Sequence, residues 1–233
     1  MSFAAFVQPV AEIMGRIWIP RPIQMTFVIT LRHYPDFMTR ADKDKPVVLS
    51  RIYTRTGDDG TTALSDMSRA SKTDPRLAAY ADVEEANAHL GVALSHGTLS
   101  ADLVAVLVRV QNELFDLGAD LATPVVAEPE FPPLRVEQSY IDWLEEQCDL
   151  FNAELKPLRS FILPGGDPAT AALHVARVVV RRAERTTWSA LHAHDDMNDL
   201  TAKYLNRLSD LLFILCRVAH AGQEILWKPG GTR

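Results

Sequence analysis

Five stretches of about twenty residues with helical patterning dominate the sequence and limit the fold that it can adopt. Short segments marked by proline or glycine, residues that end helices, separate them. The stretches cover residues 74–95, 101–122, 136–154, 168–192 and 200–221. Helices of this length joined by short links favour an up-and-down bundle. The sequence therefore predicts an all-α fold, a single up-and-down five-helix bundle.

Capping signals support the predicted helix starts. Asp74 is followed by Pro75, a pair typical of a helix start, because aspartate accepts from the first free amides and proline suits the first helical position. Ser100 is the expected cap of the second helix. Residues 124–133 contain too many prolines for a helix, so we expect a loop there.

Composition excludes some classes of function. The net charge of −6 argues against a general nucleic-acid binder, which needs a basic surface. No apolar run reaches the roughly 18 residues of a membrane span. Cys148 and Cys216 lie far apart, and we interpret them as reduced thiols of a cytoplasmic protein.

The N-terminal region is unlike the rest of the chain. We expect residues 1–46 to be an extension, disordered or not native, and residues 47–233 to form the bundle domain with its N-terminal loop. Residues 1–37 lack the charged start, apolar centre and cleavage site of a secretory signal. We favour translated upstream sequence, with Met38 as the true start; an organelle presequence is the alternative.

The fourth predicted helix has two different faces at about 100° per residue. Its core face holds Leu173, Ala176, Val179, Val180, Ala183 and Leu191. An opposite sector holds Arg177, Arg181, Glu184, Arg185 and Trp188, and Arg182 lies off that sector. This sector is either a solvated charged face or a site where guanidinium groups meet a polyanion such as phosphate.

The fifth predicted helix places polar groups in a leucine-rich segment. One side holds Lys203, Asn206, Asp210, Phe213 and Arg217. Asn206 and Asp210 need partners if they are buried. They either make polar contacts within the bundle or orient the arginines of the neighbouring helix.

The segment TRTGDDGTT, residues 54–62, is rich in glycine, hydroxyl groups and charge. It is not a Walker A motif, but its glycines allow backbone amides to converge on a phosphate. Asp58 and Asp59 are candidates to cap the turn or to hold a hydrated Mg²⁺. An ordinary surface turn is the alternative for the loop alone; together with the arginine sector it favours a triphosphate site.

Four segments together resemble the PduO-type ATP:cob(I)alamin adenosyltransferases over residues 51–227. They read IYTRTGDDGTT, SKTDPRLAAYADVEEAN, FILPGGDPATAALHVARVVVRRAER and YLNRLSDLLFILCR. The resemblance implies a homotrimer of five-helix bundles with active sites between subunits. It also implies transfer of the 5′-deoxyadenosyl group of ATP to cob(I)alamin, giving adenosylcobalamin and inorganic triphosphate, with Mg²⁺ bound mainly through the ATP phosphates.

The resemblance also implies roles for particular residues. ATP would be bound by Thr54, Arg55, Thr56, Gly57, Thr62, Lys72, Arg181, Arg182, Glu184, Arg185 and Asn206. Catalysis would depend on Arg181, Arg185 and Asn206, and on Phe161, which would face the lower axial side of the corrin. Arg177 would form a salt bridge across the subunit interface with Glu84, where the family has aspartate. Other departures are Ala81 for glycine, Ala86 for leucine and Ala63 for a frequent hydroxyl residue.

The implied chemistry needs no nucleophilic side chain, because Co(I) would attack C5′ of ATP directly. We accordingly interpret His174 and His220 as packing or hydrogen-bonding residues. Expected partners are other copies of the chain, a flavin-dependent reductase and an adenosylcobalamin-dependent enzyme, but neither nucleic acid nor membrane. Two alternatives remain: an inactive ATP- and cobalamin-binding delivery or sensor protein, and a nucleotide hydrolase.

Overall fold

The computed structural model describes residues 53–129 and 132–232. It contains α1 (Pro75–Ser95), α2 (Ala101–Leu121), α3 (Gln138–Asn152), α4 (Pro168–Ala193) and α5 (Leu200–Ala219). α4 packs against α1 and α5, α2 against α1, and α3 against α5. The predicted five-helix bundle is confirmed. The predicted N-terminal extension, residues 1–46, lies outside the described residues.

The helices begin where the capping signals predict. Asp74 Oδ1 accepts from the Arg76 amide at 2.8 Å, and Ser100 Oγ accepts from the Leu103 amide at 3.5 Å. Asp167 caps α4 by accepting from two backbone amides. These bonds satisfy amides that have no partner within their own helix.

α3 is shorter than predicted at both ends, and α5 is shorter at its C-terminal end. α3 begins at Gln138 because the backbone of Glu137 is extended, with φ −109° and ψ 164°; before it, the buried Val136 donates its amide to Asp120 Oδ2 at 2.8 Å. α5 ends at Ala219, and the chain then turns through Ala221 and Gly222, whose φ angles are 49° and 75°. Left-handed backbone of this kind stops an α-helix.

A small hairpin precedes the bundle. β1 (Thr61–Ala63) pairs antiparallel with β2 (Arg69–Ser71), with Thr62 opposite Ala70. The sequence indicated a turn at Gly57 and Gly60 after a short extended piece, but it did not predict this hairpin. The Ser65 amide donates to Ala122 O at 3.0 Å, so the hairpin is joined to the end of α2.

The core is made of aliphatic side chains from all five helices. Fully buried members include Leu90, Leu107, Leu144, Leu173, Leu205 and Leu208. The predicted core face of α4 is buried except for Leu191, which is half-buried near the end of the helix. None of the helices within residues 53–129 and 132–232 is long and apolar enough to cross a membrane.

A short strand-like pairing lies beside the start of α4. Ile162 and Leu226 form an isolated antiparallel bridge. Leu163 N donates to Ile225 O at 2.8 Å, and Trp227 N donates to Phe161 O at 2.7 Å. The segment that follows α5 is therefore hydrogen-bonded to the segment that precedes α4.

Candidate functional site

The loop 54–62 is held against β2 by two cationic side chains. Lys72 Nζ donates to Gly57 O at 2.7 Å, and Lys72 N donates to Gly60 O at 2.9 Å. Arg69 donates to Thr56 O at 2.7 Å. A Cβ on Gly57 would lie 3.0 Å from both Lys72 Nζ and Thr61 O, so a larger residue would push the lysine away.

Asp59 caps the turn. Its Oδ1 accepts from the Thr61 amide at 3.0 Å and from Thr61 Oγ1 at 2.7 Å. These hydrogen bonds from Thr61 lower the pKa of Asp59. Asp58 is exposed, and the described part of the chain contains no group of three or more His, Cys, Asp or Glu residues that could hold a metal ion. For Asp59 the structure favours the capping role over a metal-binding one.

The other predicted loop residues are accessible to a ligand. Thr54 and Thr56 are exposed, and their hydroxyl oxygens are 2.9 Å apart. Arg55 is also exposed and has a φ of 61°, which is uncommon for a residue with a Cβ. Thr62 is half-buried within β1.

The α4 sector presents two exposed arginines. Arg181 and Arg185 are on the surface, one turn apart, and within the described residues neither guanidinium group has a hydrogen bond or ion pair. Beside them, Asn206 Nδ2 on α5 donates to Glu184 Oε1 at 3.1 Å. Asn206 therefore makes a polar contact between α5 and α4, and its role in orienting the arginines remains a prediction.

Arg182 has a different environment from its neighbours. Its Nε donates to Asp82 Oδ1 at 3.2 Å, and its guanidinium also pairs with Glu85. Both carboxylates are on α1. Within one chain this arginine joins α4 to α1, as expected for a residue that lies off the sector, and its assignment to ATP remains a prediction.

A cavity of about 350 Å³ lies between the start of α4 and α5. Its walls include Phe161, His174, Arg177, Arg181, Asp210 and Phe213. Among the described residues, His174 Nδ1 and Arg177 Nε are buried and have no hydrogen-bond partner. Burial, together with the nearby Arg177 and His220, lowers the pKa of His174, which favours the neutral form of the ring.

The sequence indicated a packing or hydrogen-bonding role for His174, and the structure places this residue in the wall of the cavity. Its position one turn before Arg177 on α4 was the available signal. Phe213, which shares its predicted face with Asn206, lies with its ring 5.7 Å from the Arg177 guanidinium. Nothing in the sequence singles out Trp227, because Phe161, the residue that its ring contacts, lies far from it along the chain.

Phe161 stands at the mouth of this cavity. Its side chain is 78% exposed, so this phenylalanine is not part of the core. Its ring meets Trp227 edge to face, with centroids 6.2 Å apart and planes at 60°. An exposed phenylalanine beside exposed guanidinium groups can bind a molecule that combines a broad apolar surface with negative charge.

The loop and the arginine sector make separate sets of contacts. The hydrogen bonds described above for Gly57 and Lys72 stay within residues 54–72. Glu84 on α1 is exposed, and the structure records no ion pair between it and Arg177 within the described part of the chain. The predicted pairing of Glu84 with Arg177 across subunits remains a prediction.

The chain is similar to known cobalamin and corrinoid adenosyltransferases. A family model described as cobalamin adenosyltransferase matches residues 52–219. A corrinoid adenosyltransferase of Mycobacterium tuberculosis is 62% identical over 188 residues, covering 80% of this chain and 97% of that protein. A cobalamin adenosyltransferase of Cupriavidus metallidurans is 44% identical over 186 residues, covering 77% and 95% respectively.

Solved structures with the same fold carry ligands. A phenylalanine-to-alanine variant of a PduO-type ATP:corrinoid adenosyltransferase from Lactobacillus reuteri, complexed with cobalamin and ATP, matches with a TM-score of 0.70 and 35% identity. The match covers 77% of this chain and 100% of that one. An arginine-to-lysine variant complexed with ATP matches with a TM-score of 0.68.

Proposed function

The chain belongs to the cobalamin adenosyltransferase family, as a corrinoid adenosyltransferase, and we propose that it transfers the 5′-deoxyadenosyl group of ATP to cob(I)alamin. Co(I) donates an electron pair to C5′ of ATP. The bond between C5′ and the triphosphate oxygen breaks, and inorganic triphosphate leaves with that bonding pair. The product is adenosylcobalamin, with a new bond between cobalt and carbon.

Recognition of the triphosphate falls to the arginine sector. The exposed side chains of Arg181 and Arg185 lack protein partners among the described residues, so each is available to a phosphate oxygen. Guanidinium groups match phosphate geometrically and stabilise the charge that develops on the leaving group. The observation that carries the proposal is that Arg181 lines the same cavity as Phe161.

Asn206 and Glu184 serve to position the nucleotide. Their 3.1 Å contact joins α5 to α4 beside the two arginines. The remaining hydrogen-bonding capacity of both side chains is available to the nucleotide or to the neighbouring arginines. Fixed positions matter, because a displacement of about 1 Å can cost on the order of 100-fold in rate.

The loop 54–62 encloses the phosphates. The Thr54 and Thr56 hydroxyls and the Gly57 backbone are candidates to hold phosphate oxygens, and Lys72 lies within reach of the loop through its contact with Gly57 O. Arg55 and Thr62 complete this set. Mg²⁺ would be held mainly by the phosphates, because the described residues offer no metal cluster, and it would offset part of the triphosphate charge.

The corrinoid substrate fits the apolar side of the cavity. Phe161 would cover the lower axial face of cobalt and exclude water and the lower ligand. Without that donor, Co(II) accepts an electron from a reductase more readily. The 78% exposure of Phe161 supports this role, since an exposed aromatic ring gains stability when a flat apolar surface covers it.

A homotrimer would bring together the two parts of the site, the loop 54–62 and the arginine sector of α4. The loop of one subunit would close over the arginine sector of its neighbour, and Glu84 would pair with Arg177 across the same interface. Two observations support this assembly: Arg177 Nε is buried without a partner among the described residues, and Glu84 is exposed.

The direct test mixes the protein with ATP, Mg²⁺ and chemically reduced cobalamin. We expect the absorption spectrum of adenosylcobalamin to appear and inorganic triphosphate to be released in equal amount. Tight binding of both substrates without turnover would instead indicate a delivery or sensor protein. Release of phosphate or pyrophosphate would indicate a hydrolase.

A further inference from the structure

The backbone around Phe161 is held by the segment that follows α5. Trp227 N donates to Phe161 O at 2.7 Å, and Leu163 N donates to Ile225 O at 2.8 Å. Ser160 Oγ donates to Trp227 O at 2.8 Å. Because these bonds lie on both sides of Phe161, they fix the direction in which its side chain leaves the backbone.

A buried arginine anchors both segments to the bundle. The side chain of Arg217, at the end of α5, is only 8% exposed. Its Nε donates to Glu224 Oε1 at 2.9 Å, and its Nη2 donates to Lys156 O at 2.7 Å. Glu224 lies shortly before Trp227 along the chain, and Lys156 lies shortly before Phe161. The relative position of the two aromatic residues is therefore set by contacts outside the cavity.

Within the part of the chain that the structure describes, the aromatic ring recorded against Phe161 is that of Trp227. The Phe161 ring meets Trp227 at 6.2 Å between centroids and 60° between planes, the edge-to-face arrangement that aromatic pairs prefer. Phe161 is 78% exposed and Trp227 is 43% exposed. On a ring so little enclosed by the bundle, this contact limits the angles that the side chain can adopt.

We propose that Trp227 is a positioning residue that holds the Phe161 ring at the angle needed to cover the lower axial face of the corrinoid. This inference rests on the proposed function, which gives Phe161 that place. Trp227 acts through Phe161 and need not touch the reacting atoms. Its removal leaves the backbone bonds of the segment in place and frees the ring to rotate.

The chemistry defines the step that depends on Trp227. Reduction of bound cob(II)alamin to cob(I)alamin takes one electron, supplied by a flavin-dependent or chemical reductant, and is favoured when no lower ligand donates to cobalt. When cobalamin is supplied already as Co(I), that reduction has been completed in solution. Loss of Trp227 should therefore slow turnover that starts from cob(II)alamin and spare turnover that starts from cob(I)alamin.

The experiment compares Trp227→Leu and Trp227→Phe with the unaltered protein, each assayed from both starting states. Trp227→Leu should lower kcat from cob(II)alamin roughly three- to tenfold, the factor that corresponds to loss of an edge-to-face pair. Trp227→Phe retains a ring edge and should keep most of the rate. Leu150→Ala, at an exposed apolar residue on α3, is the control and should leave both rates unchanged.

A spectroscopic readout separates positioning from a general loss of structure. In the presence of ATP, the absorption and electron paramagnetic resonance spectra of bound cob(II)alamin report whether a lower ligand is present. Trp227→Leu should raise the ligand-bound fraction while the melting temperature and the KM for ATP stay near their original values. In a Phe161→Ala background, Trp227→Leu should have no additional effect, because its target ring is gone.

Three results would overturn this role of Trp227. They are equal rates for Trp227→Leu and the unaltered protein from cob(II)alamin, an equal loss from both starting states, and full additivity with Phe161→Ala. Failure of the unaltered protein to adenosylate chemically reduced cobalamin would be a different result, since it would remove the proposed function itself.

Discussion

Asn206 Nδ2 donates to Glu184 Oε1 at 3.1 Å, and this bond joins α5 to α4 beside the two exposed arginines of the sector. Asn206 is itself exposed, so a single exposed hydrogen bond of this kind adds little to folding stability. Its position beside Arg181 and Arg185 suggests instead that it organises the nucleotide site.

Replacing Asn206 with alanine should therefore affect catalysis more than folding. We expect Asn206→Ala to lower kcat/KM for ATP by tenfold or more, because both the amide donor and the orientation of Glu184 are lost. The melting temperature should stay within about 2 °C, consistent with a change of a few tenths of a kcal/mol. A normal kcat/KM would exclude Asn206 from the site.

The adjacent residues Arg181 and Arg182 offer a matched pair. Arg181→Ala should nearly abolish turnover and leave the melting temperature unchanged, because its guanidinium has no partner in the described residues. Arg182→Ala should lower the stability by about 1 kcal/mol or less, since it removes partly exposed ion pairs with Asp82 and Glu85. Steady-state kinetics and thermal unfolding of both variants check this contrast, which near-normal turnover by Arg181→Ala would contradict.

The helical architecture could be predicted from the sequence because its signals are local. Apolar spacing defined the five helices, and Asp74 and Ser100 cap the helices that they were expected to cap. The shortened end of α5 was not predicted, because an alanine in the sequence does not indicate the positive φ of 49° that Ala221 adopts.

The site was only partly predictable for a related reason. Arg181, Glu184 and Arg185 could be grouped because they share one face of one helix. The edge-to-face contact between Phe161 and Trp227 joins residues far apart in sequence, and no local pattern reports such a pairing. Helical periodicity places Arg182 off the sector that holds Arg181, but it does not identify Asp82 and Glu85 on α1 as the partners of Arg182.

The variant Gly57→Ala tests whether ATP binding requires the close packing of the loop on Lys72. An added Cβ would approach Lys72 Nζ and the Thr61 carbonyl to 3.0 Å, so Gly57→Ala should displace the ammonium group and raise the KM for ATP several-fold. Gly118→Ala is the control, because nothing lies within 4 Å of a Cβ at that position. An equal KM for both variants would show that the loop tolerates the extra methyl group.

The cap of α4 should give a pH-dependent contribution to stability. The capping residue is Asp167. The hydrogen bond that Thr170 Oγ1 donates to its carboxylate, opposed in part by burial, lowers the pKa of Asp167 from its ordinary value of 3.8. A lowered pKa in the folded state means that the carboxylate stabilises the fold above about pH 4 and loses this effect as the pH falls through the folded-state pKa. Asp167→Ala should cost about 1 kcal/mol at pH 7.

Denaturant unfolding at a series of pH values measures this effect. The difference in free energy of unfolding between the unaltered protein and Asp167→Ala should be constant near neutral pH and shrink below about pH 4. A difference that stays constant down to pH 2 would mean that the side chain acts by packing alone.

The final prediction concerns Glu84 and Arg177, the proposed pair across the subunit interface. Arg177 Nε is buried without a partner in the described part of the chain, which is costly unless a carboxylate from elsewhere meets it. Arg177→Ala or Glu84→Ala should therefore weaken the proposed homotrimer. If the pair is buried in the assembly, losing one partner would cost roughly 3–5 kcal/mol.

Reversal of both charges, Glu84→Arg with Arg177→Glu, should restore much of the assembly, whereas either reversal alone should not. Sedimentation velocity over a range of protein concentrations distinguishes these outcomes, and single variants that sediment and melt like the unaltered protein would show that the two residues are not paired.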